Sequence, residues 1–564
     1  MRRVPKLQMT GQMTQDSKFD NPGSSTSSDS AAEQRPEVYD AVIVGAGFGG
    51  LYMLIKLREL GLKVRVFDTA TGVGGTWYWN RYPGARCDVE SMQYSYSFSE
   101  ALQQEWRWSE KFSAQPEILE YANHVADRFD LRRDIQFETT VKSAAFDEAE
   151  KRWTLKTDRG QTVSARFCIM ATGCLSTSRV PDFPGLDDYQ GATYHTGTWP
   201  HEGVDFTGLK VGVIGTGSSA IQAIPVIASQ AEHVTVFQRT ANYSIPSRNG
   251  PMTDDYESSW KNDYAQLREE ARRARNGILT NPNDQSALDV DPDTRVEIYE
   301  KRWSDGGTRF MAAFNDLITS AEANDTAAEF VRGKVREIVQ DPETAELLAP
   351  KSFPIGTKRI CVDTDYFETF NRPDVDLVDI RDEPIDAITA RGVRQGGKEY
   401  GFDAIVFATG FDAMTGTLDN IEIRGTGGQL LREEWAEGPK TYLGMMSAGF
   451  PNLFMITGPQ SPSVLSNMIV SIEQHVDWMS ACIAHMQEKS YCMIEPEAAA
   501  QAEWIEHSNE VAHKTLYPKA ASWYMGANVP GKPRVFLPYI GGVGRYREKC
   551  EEIAAAGYPG LAFE

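Results

Sequence analysis

The chain has 564 residues and carries 57 Lys and Arg against 79 Asp and Glu, which gives a formal net charge of −22. At roughly 150 residues per domain this length predicts about three or four domain-sized units, and so acidic a chain is a poor partner for nucleic acid or an anionic membrane surface. No run of about 18 apolar residues occurs, so we predict no membrane span. The seven cysteines include no CxxC pair, so we predict reduced thiols. Because the basic start Met1-Arg2-Arg3 also lacks the apolar core of a signal peptide, we predict a cytoplasmic location.

The first ordered element predicted along the chain is a strand that leads into a glycine-rich loop. Tyr39–Val44 is a β-branched run typical of a buried parallel strand. The segment Gly45–Gly50 follows it, fits GxGxxG, and opens a helix predicted over Leu51–Leu60. The next strand, Lys63–Phe67, ends in Asp68, an acid placed to accept a ribose hydroxyl. These features predict a dinucleotide site on Gly45, Gly47, Gly49, Gly50 and Asp68.

A second unit of the same kind opens with the strand Lys210–Ile214 and the loop Gly215–Ala220. Asp68 stands 23 residues after Gly45, whereas the residue 23 positions after Gly215 is Gln238. Without a carboxylate there, a 2′-phosphate is not repelled, and Arg239 can pair with it. We therefore predict that the first site takes FAD and the second takes NADPH.

The region between the second unit and about residue 350 has a helical pattern. One apolar stripe that ends near Gly277 consists of Trp260, Tyr264, Leu267, Ala271 and Ala274. Apolar strands return at Ala404–Phe407 and Leu453–Ile456. Two small-residue turns, Ala171-Thr172-Gly173 and Ala408-Thr409-Gly410, each follow an apolar strand and are expected to lead the chain past a bound nucleotide.

These patterns predict an α/β fold with two Rossmann-like dinucleotide-binding domains, one for FAD and one for NADPH, and a helical insert in the second. Residues 1–36 hold few large apolar side chains and are expected to form a disordered tail. The predicted boundaries are 37–175 for the first part of the FAD domain, 176–400 for the NADPH domain with its helical insert at about 250–350, and 401–564 for the second part of the FAD domain.

Two stretches of sequence match patterns that are too specific to be explained by the fold alone. Gly74–Asp88 matches the pattern [AG]GxWxxxx[FY]PGxxxD throughout, and Tyr189–Pro200 matches FxGxxxHxxxWP except that Tyr189 replaces Phe. On these two motifs the chain resembles the type I Baeyer–Villiger monooxygenases, with the greatest likeness to the phenylacetone and steroid monooxygenase branch. The resemblance implies an enzyme that uses FAD, NADPH and dioxygen to insert one oxygen atom beside a ketone carbonyl, which gives an ester or lactone by way of a flavin peroxide.

The resemblance also implies roles for individual residues. The family's catalytic arginine lies in a GTKR-like stretch, which matches Gly356–Arg359, so Arg359 is expected to stabilise the peroxide and Lys358 to contact the NADPH phosphate. Asp88 would then hold and tune Arg359, because a buried arginine without a counter-charge is costly.

The remaining positions carried over from the family fall into three groups. The flavin is expected to be lined by Thr76, Trp77, Tyr78, Trp79, Tyr94, Val141 and Met468. NADPH is expected to be bordered by Arg86, Cys87, Asp88, Gly215, Gly217, Ser218, Ser219, Ala220, Ile221, Gln222, Ala223, Arg239, Thr240, Ala241, Lys358, Arg359 and Trp523. The ketone pocket is expected to be shaped by Leu175, Ser463, Val464, Leu465 and Met468, with Cys174 as a candidate lining thiol.

Three other functions stay open at this point. A flavin monooxygenase that oxygenates nitrogen or sulfur shares both glycine loops. A flavin–pyridine nucleotide disulfide reductase needs a redox cysteine pair, which the spacing of Cys87, Cys168 and Cys174 does not supply. A nucleotide-sensing protein would leave both motifs unexplained. For His195 a structural role is expected, and the histidines lack metal-ligand spacing, so we predict no metal. The expected partners are a small ketone and dioxygen, in a monomer or weak oligomer.

Overall fold

The structure is a computed structural model and describes residues 36–564. The predicted disordered tail lies outside the described residues, apart from Pro36. The first part of the described chain builds most of one large sheet. Its elements are β1 (Glu37–Val44), α1 (Phe48–Glu59), β2 (Val64–Phe67), α2 (Thr76–Trp79), α3 (Glu100–Glu105), α4 (Gln115–Arg128), β3 (Ile135–Gln136), β4 (Val141–Asp147), β5 (Arg152–Thr157) and β6 (Thr162–Met170).

The centre of this first sheet is parallel and fully buried. β1 pairs in parallel with β2 on one side and with β6 on the other. Its apolar run is buried on both faces, as the β-branched pattern predicts for a central parallel strand. β4, β5 and β6 pair antiparallel and extend the sheet on one side.

A second sheet begins after the first small-residue turn. The chain here forms β7 (Ala192–His195), β8 (Lys210–Ile214), α5 (Ser218–Ala228), β9 (His233–Gln238) and β10 (Ser244–Pro246), and the strands β7, β8 and β9 belong to the second sheet. β8 and β9 pair in parallel, so α5 crosses between them as in a nucleotide-binding unit.

Four helices come next, at α6 (Asp254–Arg273), α7 (Pro292–Asp305), α8 (Ala321–Ile338) and α9 (Pro342–Leu348). Their starts follow from local sequence, because the side chains of Thr253, Asp291, Ser320 and Asp341 each accept a backbone N–H of the first turn. The predicted apolar stripe lies on α6, where Trp260, Tyr264 and Ala271 are buried.

The chain then completes the second sheet. It forms β11 (Cys361–Asp363), α10 (Tyr366–Thr369), β12 (Val375–Asp379), β13 (Ile385–Thr389), β14 (Gly392–Gln395), β15 (Lys398–Gly401) and β16 (Ala404–Phe407). Of these strands β12 and β16 join the second sheet, β11 pairs with β10, and β13, β14 and β15 form a small sheet of their own. The second sheet has the order β12-β9-β8-β16-β7 and is parallel throughout. If sheet membership defines the domains, the boundary predicted at 400/401 falls too early, because β16 pairs with β8 in the second sheet.

The C-terminal chain returns to the first sheet. It forms α11 (Gly416–Asp419), β17 (Glu422–Arg424), α12 (Leu431–Glu434), β18 (Leu453–Met455), α13 (Met468–Lys489), β19 (Ile494–Pro496), α14 (Ala498–His513), α15 (Val543–Ala555) and β20 (Leu561–Phe563). β17 pairs with β4 and β18 with β6, so the end of the chain completes the sheet that its beginning starts. Among the helices of residues 36–564, none is long and apolar enough to span a membrane.

Candidate active site

The two glycine loops are built alike. Gly45 has φ +111°, and a Cβ there would stand 2.4 Å from the carbonyl oxygen of Ala171. Gly215 has φ +113°, and a Cβ there would stand 2.5 Å from the carbonyl oxygen of Ala408. Each loop is therefore pressed against one of the two small-residue turns, and only glycine fits. The helices that follow begin without a side-chain cap, so their first N–H groups are free to bind phosphate oxygens.

The first loop has the features that an FAD pyrophosphate and ribose need. Gly47 and Gly75 approach so closely that a Cβ on Gly75 would lie 2.9 Å from the Cα of Gly47. The carboxylate of Asp68 accepts the backbone N–H groups of Ala46 at 2.6 Å and Ala70 at 2.8 Å. Burial raises the pKa of Asp68, although these two donors oppose the shift. Each carboxylate oxygen keeps a lone pair for a ribose hydroxyl, so the residues present fit FAD.

The second loop has cations where the first has an acid. Gln238 is buried at the end of β9, and its Oε1 has no hydrogen-bond partner within the part of the chain that the structure describes. Arg239 is exposed beside it, and burial and then the charge of Arg239 lower the pKa of Lys358 to about 8. Neither cation has an ion-pair partner within 4.0 Å among residues 36–564. Two cations without an ion-pair partner among residues 36–564, at a strand end that lacks an acidic residue, fit the 2′-phosphate of NADPH.

Arg359 and Asp88 form a two-pronged ion pair. Arg359 Nε donates to Asp88 Oδ2 and Nη2 donates to Oδ1, both at 2.7 Å, while Nη1 donates to the backbone oxygen of Val464 at 2.7 Å. Burial alone would lower the pKa of Arg359, but the charge and hydrogen bonds of Asp88 outweigh it and hold that pKa above its ordinary value. A guanidinium has five N–H donors, so two of them have no acceptor among residues 36–564 and can serve a further oxygen.

An apolar cluster lies beside this ion pair. Val464 belongs to it, and it also contains the predicted pocket residues Cys174, Leu175, Leu465 and Met468. Tyr524 and the partly buried Trp523 complete one side of the cluster, with ring centroids 4.1 Å apart. These residues predicted to shape the ketone pocket therefore share one apolar cluster, and the backbone oxygen of Val464 joins that cluster to Arg359.

Several residues predicted to line the flavin pack together. Trp77 Nε1 donates to the hydroxyl of Tyr94 at 3.1 Å, and both rings share one core cluster with Cys87. Burial raises the pKa of Tyr94 above its ordinary value, so its hydroxyl is neutral. Val141 does not join them, since it lies in a different cluster on the other face of the first sheet.

Two residues predicted to border NADPH already have protein partners. The guanidinium of Arg86 pairs with Glu110 and donates to the backbone oxygen of Phe112. The side-chain amide of Gln222 contacts Tyr82 and the backbone of Arg86. Thr240 accepts a hydrogen bond from Thr216 Oγ1 through its backbone oxygen at 2.8 Å, which ties the strand end to the loop.

One charged residue near the site was missed by sequence reasoning. Glu90 is only 5% exposed and accepts hydrogen bonds from the hydroxyl of Tyr256 and from Arg309 Nη2, with Lys111 Nζ 3.4 Å away. It therefore fastens α6 and the segment around Arg309 to the loop that carries Asp88. In the sequence only its position two residues after Asp88 pointed to Glu90. That position does not reveal its partners Tyr256 and Arg309, which lie far away in the chain.

His195 and the cysteines are not arranged for catalysis by proton or thiol transfer. His195 Nδ1 accepts the backbone N–H of Gly197 at 2.9 Å, and burial lowers its pKa. All seven cysteines of the chain lie among the described residues and are free. Burial raises the pKa of Cys87, Cys168 and Cys174, which keeps these thiols protonated.

Comparisons with known proteins decide the family. Residues 42–265 match the family model described as pyridine nucleotide-disulphide oxidoreductase. A Baeyer–Villiger monooxygenase of Pseudooceanicola batsensis is 43% identical over 93% of this chain and 96% of its own. The chain belongs to the Baeyer–Villiger monooxygenase family. The phenazine N-monooxygenase PhzNO1 of Lysobacter antibioticus is likewise 43% identical, over 93% of this chain and 96% of its own.

Solved structures agree with this membership. Oxidized steroid monooxygenase bound to NADP is 53% identical, with a TM-score of 0.90 over 93% of this chain and 99% of that one. The complex of OTEMO with FAD and NADP is 38% identical, with a TM-score of 0.91 over 94% of this chain and 100% of that one. The predictions of a Baeyer–Villiger monooxygenase fold with two dinucleotide-binding domains, and of FAD and NADPH as cofactors, are confirmed.

Proposed function

We propose that this chain is an NADPH-dependent flavin monooxygenase that inserts one oxygen atom of dioxygen next to a ketone carbonyl and gives an ester or a lactone. The observation that carries the proposal is the Arg359–Asp88 ion pair at the edge of an apolar cluster. When bound, NADPH supplies a hydride and FAD carries the electrons to dioxygen, so that one oxygen atom enters the ester and the other leaves as water.

Arg359 would act by holding a fixed positive charge where negative charge develops on the transferred oxygen. Its two free N–H donors can reach such an oxygen, while the other three are held by Asp88 and the Val464 carbonyl. Because Asp88 keeps the guanidinium protonated, the site needs no proton transfer to stay charged. A donor that is positioned beforehand stabilises developing charge without the cost of reorganisation.

The surrounding side chains would keep water away. The cluster of Cys174, Leu175, Val464, Leu465 and Met468 offers a ketone an apolar surface and few hydrogen bonds. Excluding water protects a reactive oxygen species from breakdown and strengthens the field of Arg359. The same apolar lining fits a neutral carbonyl compound better than a charged amine, because an amine would have to lose its hydration without gaining a counter-ion.

The nucleotide preference would come from the end of β9. Gln238 replaces the acid that would repel a 2′-phosphate, and Arg239 and Lys358 would pair with that phosphate. The N–H groups at the start of α5 would hold the pyrophosphate. In the first site, the start of α1 and the carboxylate of Asp68 would do the same for FAD.

A product assay tests the proposal. FAD-loaded protein would be supplied with NADPH and isotope-labelled dioxygen, and with a panel of aliphatic, aryl, cyclic and steroidal ketones. We expect esters or lactones with one labelled oxygen atom from at least one class. NADPH oxidation without any ester from the whole panel would contradict the proposal.

The alternative is oxygenation at nitrogen or sulfur, which the similarity to a phenazine N-monooxygenase keeps in view. Amines, aromatic nitrogen heterocycles and sulfides belong in the same assay, at the same concentrations. N-oxides formed faster than any ester would favour the alternative. A cytoplasmic location and a monomeric or weakly associated state stay predictions.

A further inference from the structure

The segment that leads to Asp88 lies against the helix that begins the NADPH site. Tyr82 packs on the apolar core of the second sheet, although it follows α2 of the first. Gly84 has φ +77°, and a Cβ there would stand 2.3 Å from the backbone oxygen of Gln222 in α5. The loop and the helix therefore touch at a point where no larger residue fits.

The side-chain amide of Gln222 fastens this contact at two places. Its Oε1 accepts the hydroxyl of Tyr82 at 2.8 Å and the backbone N–H of Arg86 at 3.4 Å. Its Nε2 donates to the backbone oxygen of Arg86 at 3.1 Å. Burial raises the pKa of Tyr82 to about 12, so its hydroxyl is a protonated donor over the working pH range.

The helix thus has two contacts that matter for the site. Its first turn offers free N–H groups to the nucleotide, and Gln222 in its second turn holds the loop on either side of Gly84. Two residues after Arg86, the same loop supplies the carboxylate that orients Arg359.

We propose that the Tyr82–Gln222 hydrogen bond is a latch through which α5, the helix expected to bind NADPH, holds residues 80–88, the Asp88 loop, in one position. Tyr82 and Gln222 are then positioning residues for Arg359. The proposal rests on the oxygen-transfer role of Arg359 given above. Without this hydrogen bond the loop can shift and the carboxylate of Asp88 can move. The guanidinium of Arg359 then no longer holds its two free N–H donors in one fixed orientation. Oxygen reduced at the flavin would then be released as hydrogen peroxide more often.

Tyr82→Phe removes the hydroxyl and little else, and Tyr189→Phe is the matched control. Tyr189 donates its hydroxyl to the backbone oxygen of Phe402 at 2.9 Å, a bond to a neutral oxygen like that of Tyr82, and it packs in a different apolar cluster from Tyr82. For Tyr82→Phe we expect about threefold to tenfold more hydrogen peroxide per ester, the range that loss of one neutral hydrogen bond corresponds to, with the Kd for NADP+ changed by less than about twofold. The control should match the wild type.

Hydrogen–deuterium exchange of the FAD-loaded protein supplies a readout that does not depend on turnover. Tyr82→Phe and Gln222→Met should each speed exchange in residues 84–88, and NADP+ should protect this segment in the wild type but not in either variant. The double variant should exchange no faster than Gln222→Met alone, because both changes remove the same bond.

The outcomes separate this proposal from the proposed function. Unchanged exchange in Tyr82→Phe would overturn the latch even if esters form. Faster exchange with an unchanged ratio of peroxide to ester would overturn the positioning role. A wild-type protein that makes no ester would refute the function, while the exchange result would still decide whether the latch exists.

Discussion

At the scale of single residues, Lys358 and Arg359 are neighbours in the chain with opposite electrostatic surroundings. Arg359 faces a carboxylate that raises its pKa, whereas burial and the nearby charge of Arg239 lower the pKa of Lys358 to about 8. One cation is therefore permanently charged, and the other can lose its proton near physiological pH. The difference suits a fixed charge for oxygen transfer and an adjustable one for a phosphate.

The first prediction concerns the pH dependence of NADPH use. Lys358 is charged below its pKa and neutral above it, so the free enzyme should lose affinity for the 2′-phosphate as the pH rises through about 8. We expect kcat/KM for NADPH to fall by up to about tenfold per pH unit above that point, the slope of a single proton. Steady-state kinetics across this pH range would measure it.

Lys358→Arg is the control for this prediction. A guanidinium stays protonated throughout the range, so the fall should move out of it. Arg239→Ala should shift the fall to higher pH, because it removes a charge that lowers the pKa of Lys358. Identical profiles for the wild type and Lys358→Arg would show that another group titrates.

The residues of the ion pair could be named from sequence because Asp88 ends the Gly74–Asp88 motif and Arg359 ends the GTKR-like stretch. The third acceptor of Arg359, the backbone oxygen of Val464, could not be named, because a side-chain pattern gives no information on which backbone carbonyl lies nearby. That Gln222 borders NADPH stays a prediction, and its amide also contacts Tyr82 and Arg86, which sequence alone did not predict. The sequence predicts which face of a helix a residue lies on, but contacts between residues far apart in the chain decide what packs against that face.

At the scale of elements, the segment from the end of α2 to Glu90 is held by contacts with three other parts of the chain. α5 contacts it through Gln222, α6 and Arg309 contact it through Glu90, and Arg359 contacts it through Asp88. The strands and helices themselves follow from local patterns, and the predicted strands at residues 39–44 and 210–214 lie within β1 and β8. The contacts of the loop with α5 and α6 join residues far apart in the chain, which is why periodicity did not predict them.

The second prediction tests how tightly the loop fits α5. Gly84→Ala places a Cβ 2.3 Å from the Gln222 backbone oxygen, in addition to the cost of φ +77°. Gly160→Ala is the matched control, since Gly160 has φ +75° and open space around a Cβ. The overpacked contact should make Gly84→Ala lower the free energy of unfolding by about 1–3 kcal/mol more than the control does.

Urea unfolding of both FAD-loaded variants would measure this difference. Ester formation should also fall in Gly84→Ala and stay unchanged in Gly160→Ala, because only the first change displaces the Asp88 loop. Equal losses of stability would mean that backbone strain alone accounts for the glycine.

At the scale of the whole molecule, the net charge of −22 repels a nucleotide with several phosphate charges. We expect the neighbouring cations Arg239 and Lys358 to offset that repulsion locally, together with the N–H groups at the start of α5. The total charge predicted which partners to exclude, while the positions of a few cations pointed to the cofactor. The approach of Lys358 to Arg239 spans about 120 residues of chain and could be inferred only by carrying the family's motif over.

The third prediction concerns the choice between NADPH and NADH. Arg239→Ala removes a charge-assisted contact with the 2′-phosphate, so the KM for NADPH should rise by about tenfold to a hundredfold, while the KM for NADH changes little. Added salt should raise the KM for NADPH more in the wild type than in the variant, because it screens the exposed guanidinium. Equal changes in the two KM values would remove Arg239 from phosphate binding.

The most direct test of the central claim is the amount of ester formed per reduced flavin in Arg359→Ala. The account predicts that NADPH still reduces the flavin, and that no ester is detected while hydrogen peroxide accumulates. Arg359→Lys should behave similarly, since it keeps a charge but loses the fork, and Arg372→Ala, which breaks an exposed fork to Asp374, should match the wild type. Ester formed by Arg359→Ala at the wild-type ratio would contradict the account.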